Sequence, residues 1–420
     1  VSSAATLWDG LAAFVFWYPL LMSLLWMGGA AVFWWRFERG APRWDAPPPL
    51  TDPPPVSVLV PCYNEAENAE ETIGHALRLD HPEFEVVAID DGSTDGTGAI
   101  LDRLAAREPR LRVVHLAHNQ GKAKGLEAGA LLARHEILIG IDGDALLDPR
   151  AARWLVRHLA ADPRVAAVTG NPRIRNRSTL LGRVQVGEFS SLVGIIKRAQ
   201  RVFGRIFTVS GVLTAFRRSA VLGVGGWSPD ALTEDIDVTW KLHRAGWAIR
   251  FEPSALTWIL MPETLRGLWK QRLRWAMGGA QVLLRNLDAL VRPSQRALWP
   301  LLLESVASVL WSYAMLAVTV VWLLGLALPA GAVPRVGPPL GAGASGLVIG
   351  AACLVQLAFA TWLDRRHDRG LFRNLFWMIW FPIVFWVLNC AATVVAYPKV
   401  LVRRPGRRAR WVSPDRGIRP

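Results

Sequence analysis

Four stretches of this chain carry no charged residue: Leu11 to Trp35, Ser305 to Pro334, Val336 to Leu363 and Asn374 to Pro398. Each reaches or exceeds the ~20 residues that a helix needs to cross a bilayer. Transmembrane helices are therefore expected at both ends of the chain, with a polar block between them. The first stretch is too long and too rich in Trp for a signal peptide. No basic segment precedes it and no small-residue cleavage site follows, so it reads as a span.

The net charge is +14, and much of the excess Arg and Lys flanks the apolar stretches, where it meets anionic headgroups. A lipid bilayer, not nucleic acid, is the partner this charge implies. Arg36, Arg39 and Arg43 follow the first stretch while only Asp9 precedes it, which puts the N-terminus outside and the middle block in the cytoplasm. The loop with Arg365, Arg366, Arg369 and Arg373 fits the same side. Three full crossings after the middle block would place the tail arginines, Arg403, Arg404, Arg407, Arg408 and Arg410, outside. One stretch is thus expected not to cross, and Asn374 to Pro398 is the candidate, because Pro382 can break it into an interfacial or re-entrant pair. Cys62, Cys353 and Cys390 offer no disulfide framework, and no zinc-type Cys or His spacing occurs.

From about Pro47 to Pro293 short strands and helices alternate. Val56 to Val60, Glu85 to Ile89, Leu111 to His115, Glu136 to Ile141 and Val165 to Val168 read as strands. Glu67 to Leu79, Thr97 to Arg107, Lys122 to Arg134 and Pro149 to Ala161 read as helices between them. That alternation predicts an α/β domain with a mostly parallel, Rossmann-like sheet covered on both faces. The expected organisation is a membrane helix over 1–40, the α/β domain over 41–260, amphipathic interfacial helices over 261–297, a membrane region over 298–398 and a basic tail over 399–420. The six prolines between Ala46 and Pro55 read as a stiff linker.

Ligands bind beyond the carboxyl ends of such strands. Pro61, Tyr63 and Glu65 follow the first strand, Asp90-Asp91-Gly92 the second and Asp142-Gly143-Asp144 the fourth, so one crevice is expected to collect them. Paired carboxylates at the end of an apolar strand are costly unless a cation or hydrogen bonds compensate, which suits a divalent metal bridged to a diphosphate. The same tripeptide is also common in plain turns. Asp90 and Asp91 offer acceptors for a nucleotide base and ribose, although Ser93 or Asp95 reads equally as a helix cap. Lys122, at a helix start after Gly121, either meets phosphates or is an ordinary surface lysine; no Walker pattern surrounds it. In Thr233-Glu234-Asp235, Thr233 reads as a helix cap with acids in the first turn. The alternative makes Asp235 a general base for a sugar hydroxyl, worth about 10² to 10⁴ in rate. Gln271, Arg274 and Trp275 share one helical face, either as membrane anchors or as a seat for a sugar and a diphosphate.

The ordered set Asp-Asp-Gly, Asp-x-Asp, Thr-Glu-Asp and Gln-x-x-Arg-Trp, at Asp90, Asp142, Thr233 and Gln271, resembles the processive family 2 glycosyltransferases, which include cellulose, hyaluronan and chitin synthases. Longer stretches such as VTGNPRIRNRSTL, FTVSGVLTAFRRSA and WILMPETLRGLWKQRLRWAMGGAQV resemble the branch that builds bacterial biofilm exopolysaccharide from N-acetylglucosamine. The resemblance implies a GT-A domain, UDP-N-acetylglucosamine as donor, Mg²⁺ or Mn²⁺, and inversion to give a β-linked chain. It assigns Asp90 and Asp91 to nucleotide binding, Asp144 to the metal, Asp235 to the base, and Gln271, Arg274 and Trp275 to the acceptor and diphosphate. Asp142 and Glu234, which stand beside these groups in their motifs, are expected to bind substrate. Trp411, in the basic tail, matches a cytoplasmic gating segment. The resemblance also implies activation by cyclic di-GMP and a small membrane partner; no separate domain for that nucleotide is present, so its site is expected on arginines of this chain together with that partner. Synthases of other β-linked glycans share every motif. A catalytically dead transporter or signalling protein is disfavoured because no motif acid is missing.

Overall fold

The computed structural model describes residues 2–339, 344–368, 370–378, 381–403 and 406. Its middle block is built on one eight-stranded sheet: β1 Val56–Cys62, β2 Phe84–Asp90, β3 Leu111–His115, β4 Ile137–Ile141, β5 Leu146–Leu147, β6 Val165–Ile174, β7 Leu213–Arg217 and β8 Ala248–Ile259. The order across the sheet is β3-β2-β1-β4-β7-β6-β8-β5. β1 lies parallel to β2 and β4, β2 to β3, and β6 to β8. β7 runs antiparallel to β4 and β6, and β5 antiparallel to β8, so these two strands oppose the direction of the rest.

Alternation along the strands divides the core between two faces. Val56, Val58 and Val60 of β1 join Val86, Ala88, Ile137 and Ile139 on one face, under the helices Ala69–Leu77 and Ala151–Ala161. Leu59 joins Val87, Ile89 and Leu138 on the other, under the helix Lys122–Leu132. Burial on both faces explains why these strands read as continuous apolar runs. The expected strands one to four are present with ends shifted by at most two residues.

β6 is longer than expected and β5, β7 and β8 were not anticipated. Gly170, Asn171 and Pro172 carry β6 onward, and a register shift against β8 falls between Thr169 and Asn171. Across that irregularity Asn171 Nδ2 donates to Pro253 O at 3.0 Å. Pro253 is tolerated inside β8 because a bulge frees its missing N–H from the ladder.

Among the described residues three helices are long and apolar enough to cross a membrane: Thr6–Glu38, Pro293–Ala327 and Ser345–Asp364. In the last stretch Leu371–Asn374 forms a 3₁₀ turn, Leu375–Met378 is helical and Phe381–Leu401 is a helix.

A buried ion network joins the membrane helices to the sheet domain. Arg198 Nε and Nη2 donate to Glu38 at 2.7 and 3.0 Å, and Arg198 Nη1 to Asp364 Oδ1 at 3.0 Å. Arg173, on β6, reaches Asp364 Oδ2 at 2.6 Å and Asp368 at 3.6 Å, and Arg177 also pairs with Asp368. Arg366 donates to the carbonyls of Glu38 and Ala41. The ends of the first and third apolar helices therefore meet on the side of the sheet domain.

Candidate active site

Lys122 is the centre of the site. The turn before it is fixed by Asp91, whose carboxylate accepts the backbone N–H groups of Gln120 and Gly121, both at 2.8 Å. The side chain of Lys122, 9% exposed, then reaches Asp142 Oδ1 at 2.5 Å and Glu234 Oε1 at 2.9 Å, and donates to Gly211 O at 3.1 Å. One ammonium thus ties the loop after β4 to the start of the helix Glu234–Arg244. Burial works against its charge, but Asp142 and Glu234 outweigh that and hold Lys122 well above the ordinary lysine value. The surface-lysine alternative is excluded by this geometry.

Asp235 sits beside the junction. Its Oδ2 accepts the Gly211 N–H at 3.2 Å and its Oδ1 the Ile236 N–H at 2.9 Å. Burial, reinforced by the neighbouring Glu234 charge and opposed by Lys122, pushes the Asp235 carboxyl up to about 6. Glu234 moves the opposite way: its burial is outweighed by the attraction and hydrogen bond of Lys122. Two adjacent carboxyls driven apart in this manner divide into a fixed anion and a proton acceptor working near neutral pH. Thr233 stands at the N-cap position, yet its hydroxyl makes no cap bond and is buried without a partner among the described residues. The expected cap is corrected by packing, because the helix Leu265–Asn286 crosses directly over it. A Cβ on Gly278 would lie 2.1 Å from Thr233 Oγ1.

That crossing brings the last motif to the site. Arg274 is exposed and donates to Leu232 O at 3.3 Å, and its charge acts on both Glu234 and Asp235. Gln271 Oε1 is a buried acceptor with no hydrogen-bond partner among the described residues. Trp275 is half-buried against the sheet core, with the guanidinium of Arg272 4.4 Å from its ring. Arg272, which sequence reasoning passed over, is buried and paired with Glu188 at 2.6 Å.

The loops after β1 and β2 form the other wall. Asp90 is buried; Ser93 N donates to its Oδ1 at 2.9 Å, and its Oδ2 lies 3.0 Å from His115 Nδ1. Asp95 accepts from the Ala66 and Thr97 N–H groups, and Thr97 Oγ1 accepts from Glu65 N, so these loops are laced together. Buried Glu65 accepts from Asn68 at 3.1 Å. Gly143 fits between Pro61 and Glu65: a Cβ there would meet Pro61 O at 3.0 Å and Glu65 Cγ at 3.1 Å. Tyr63 and Asp144 are partly exposed at the rim. Trp411 lies outside the described residues.

The profile described as "Glycosyltransferase like family 2" matches residues 53–278, which spans the sheet, the Lys122 junction and Gln271 to Trp275. The chain belongs to glycosyltransferase family 2. This glycosyltransferase is 36% identical over 408 residues to the poly-beta-1,6-N-acetyl-D-glucosamine synthase of Staphylococcus epidermidis, covering 96% of this chain and 98% of that one. It is 37% identical over 409 residues to the protein of that name from Staphylococcus aureus strain COL, with the same coverage. A mannosyltransferase from Pyrobaculum calidifontis, solved with GDP-Man and Mn²⁺, shares the fold at a TM-score of 0.56 and 23% identity, covering 88% of this chain and 99% of that one. The family 2 glycosyltransferase thus carries the expected GT-A architecture, its sheet mixed by β5 and β7.

Proposed function

We propose that this glycosyltransferase polymerises N-acetylglucosamine from UDP-N-acetylglucosamine into a β-1,6-linked exopolysaccharide, processively and with inversion, and passes the chain through its apolar helices. The observation that carries the reaction is the Lys122 junction, which draws Asp142, Glu234 and Asp235 into one buried cluster beneath Arg274. The donor sugar and linkage rest on relatives aligned over nearly the whole chain.

In the proposed step Asp235 takes the proton of the acceptor 6-hydroxyl as that oxygen attacks the anomeric carbon. The new C–O bond forms on the face opposite departing UDP, so configuration inverts. Arg274 meets the diphosphate with guanidinium donors, and Lys122 holds the anions around it in place. Pro61, Tyr63, Glu65, Asp90 and Asp91 shape the nucleotide wall, with the two aspartates fixing its loops. Gln271 and Trp275 serve the acceptor, Gln271 through its unused buried carbonyl. Asp144 is the residue to hold Mg²⁺ or Mn²⁺. Among the described residues no group of three His, Cys, Asp or Glu converges, which suits a cation completed by substrate phosphates. Such a cation, when bound, neutralises charge on the leaving diphosphate.

On this reading the protein sits in the bacterial inner membrane with its catalytic domain cytoplasmic, which its three apolar helices support. Both ends of the 371–401 segment pack on that domain. Leu371 and Met378 join Val186 and Phe189, and Tyr397 joins Ile236 and Trp240. The helix Phe381–Leu401 is itself ~30 Å long, and with both ends of the segment held on that domain it lies along the domain's membrane face and does not cross, so the tail stays cytoplasmic. The resemblance adds a small membrane partner and cyclic di-GMP as activator.

Purified protein in lipid, given single UDP-sugars, tests the reading by product linkage. A β-1,6 N-acetylglucosamine polymer is expected, and a chain from another UDP-sugar would replace the assignment. Asp235→Asn is expected to abolish polymer while retaining UDP binding by calorimetry.

A further inference from the structure

Lys197 is a charged residue directly after the apolar run Phe189 to Ile196, and the motifs leave it without a function. It starts the helix Lys197–Phe203, is 7% exposed, and donates from Nζ to Thr169 Oγ1 at 3.3 Å. Thr169, fully buried on β6, also accepts the Ser210 N–H at 2.8 Å. The next N–H, that of Gly211, donates to Asp235 Oδ2 at 3.2 Å, and the Gly211 carbonyl accepts from Lys122 at 3.1 Å. A Cβ on Gly211 would lie 3.1 Å from both Asp235 Oδ2 and Lys122 Nζ. The Ser210-Gly211 segment is therefore clamped, with Thr169 and Lys197 behind it and the base and the junction lysine in front.

We propose that Lys197 and Thr169 are positioning residues for the base: by fixing the Ser210-Gly211 peptide they aim the Asp235 carboxylate at the acceptor hydroxyl. The inference rests on the reading of Asp235 as the base. Burial brings Lys197 down to about 7, with the Asp235 charge resisting, so ammonium and carboxylate face one another as charges between about pH 6 and 7. Glu234, Lys122 and Arg274 also face Asp235. Lys122 is the strongest cation there, and Lys197 adds to it from behind.

The experiment uses the full chain in lipid and compares Thr169→Val, Thr169→Ser, Lys197→Met and Lys197→Arg, with Asp235→Asn as reference. Thr169→Val and Lys197→Met are expected to lower kcat by about tenfold or more, because small misplacements of a base are costly. KM for UDP-N-acetylglucosamine and UDP affinity should stay within about twofold, since both residues stand behind the Ser210-Gly211 peptide and apart from the residues proposed for the donor. Lys197→Met should also move the acid limb of the pH profile upward, because a cation near the carboxylate is lost. Thr169→Ser and Lys197→Arg should recover activity. Unchanged kcat and pH profile in both Thr169→Val and Lys197→Met would overturn the inference, as would equal losses in all four variants. If Lys197→Met fails to fold, retained kcat in Thr169→Val alone overturns it. An active Asp235→Asn would instead sink the reading of the base itself.

Discussion

At the scale of single residues, the chemistry turns on neighbouring acids whose environments differ. Lys122 pairs with Glu234 at 2.9 Å and draws its carboxyl down, while burial and the Glu234 charge push Asp235 up to about 6 against the pull of Lys122. A base works only when deprotonated, so turnover should fall as pH drops through about 6 and level off above it; a pH profile of kcat/KM checks this. Lys122→Met should lower turnover steeply and move the acid limb of what remains to higher pH, because the cation that draws the Asp235 carboxyl down is lost. The sequence made the acids legible, because four motifs stand in order. It did not show how they connect: nothing in Asn119-Gln120-Gly121-Lys122 reveals that Asp91 holds the turn while Lys122 reaches two distant carboxylates. Asp90 shows the opposite limit, since its occupation by Ser93 and His115 depends on a neighbouring strand.

At the scale of elements, the parallel strands were legible because burial on both faces writes them as apolar runs. β7 and β8 were not, since Leu213–Arg217 runs against both its neighbours outside the strand-helix alternation, and Glu252, Pro253 and Ser254 interrupt the apolar residues of β8 where β6 shifts register beside it. The helix Leu265–Asn286 was legible as an amphipathic element, but its crossing point was not. Gly278 sets that point. Gly278→Ala should force the helix off Thr233 and lower polymer synthesis by about 10²-fold, as expected for a shift near 1 Å at the site. Gly279→Ala should be nearly silent, because the nearest atom to its added methyl, Phe207 Cζ, is 4.0 Å away. Initial rates of the two variants, compared with their UDP affinities, measure the difference.

At the scale of the whole molecule, the apolar stretches announced membrane helices, while the tie between those helices and the catalytic domain was hidden in isolated charges. Glu38, Arg173, Arg198 and Asp364 come from four distant places in the chain, and no local pattern marks them. Their pairing makes Asp364, fully buried, a point of weakness. Asp364→Ala leaves two buried guanidiniums without their shared partner and should cost about 3–5 kcal/mol, read as a lowered melting temperature in detergent. The seam they form has a mechanical meaning. A catalytic head riveted to its own membrane anchors by Glu38, Arg173, Arg198 and Asp364 resists swinging at that joint. Under the translocation proposed above, forward travel of each added sugar would then fall to the glycan, sliding past a stationary cradle.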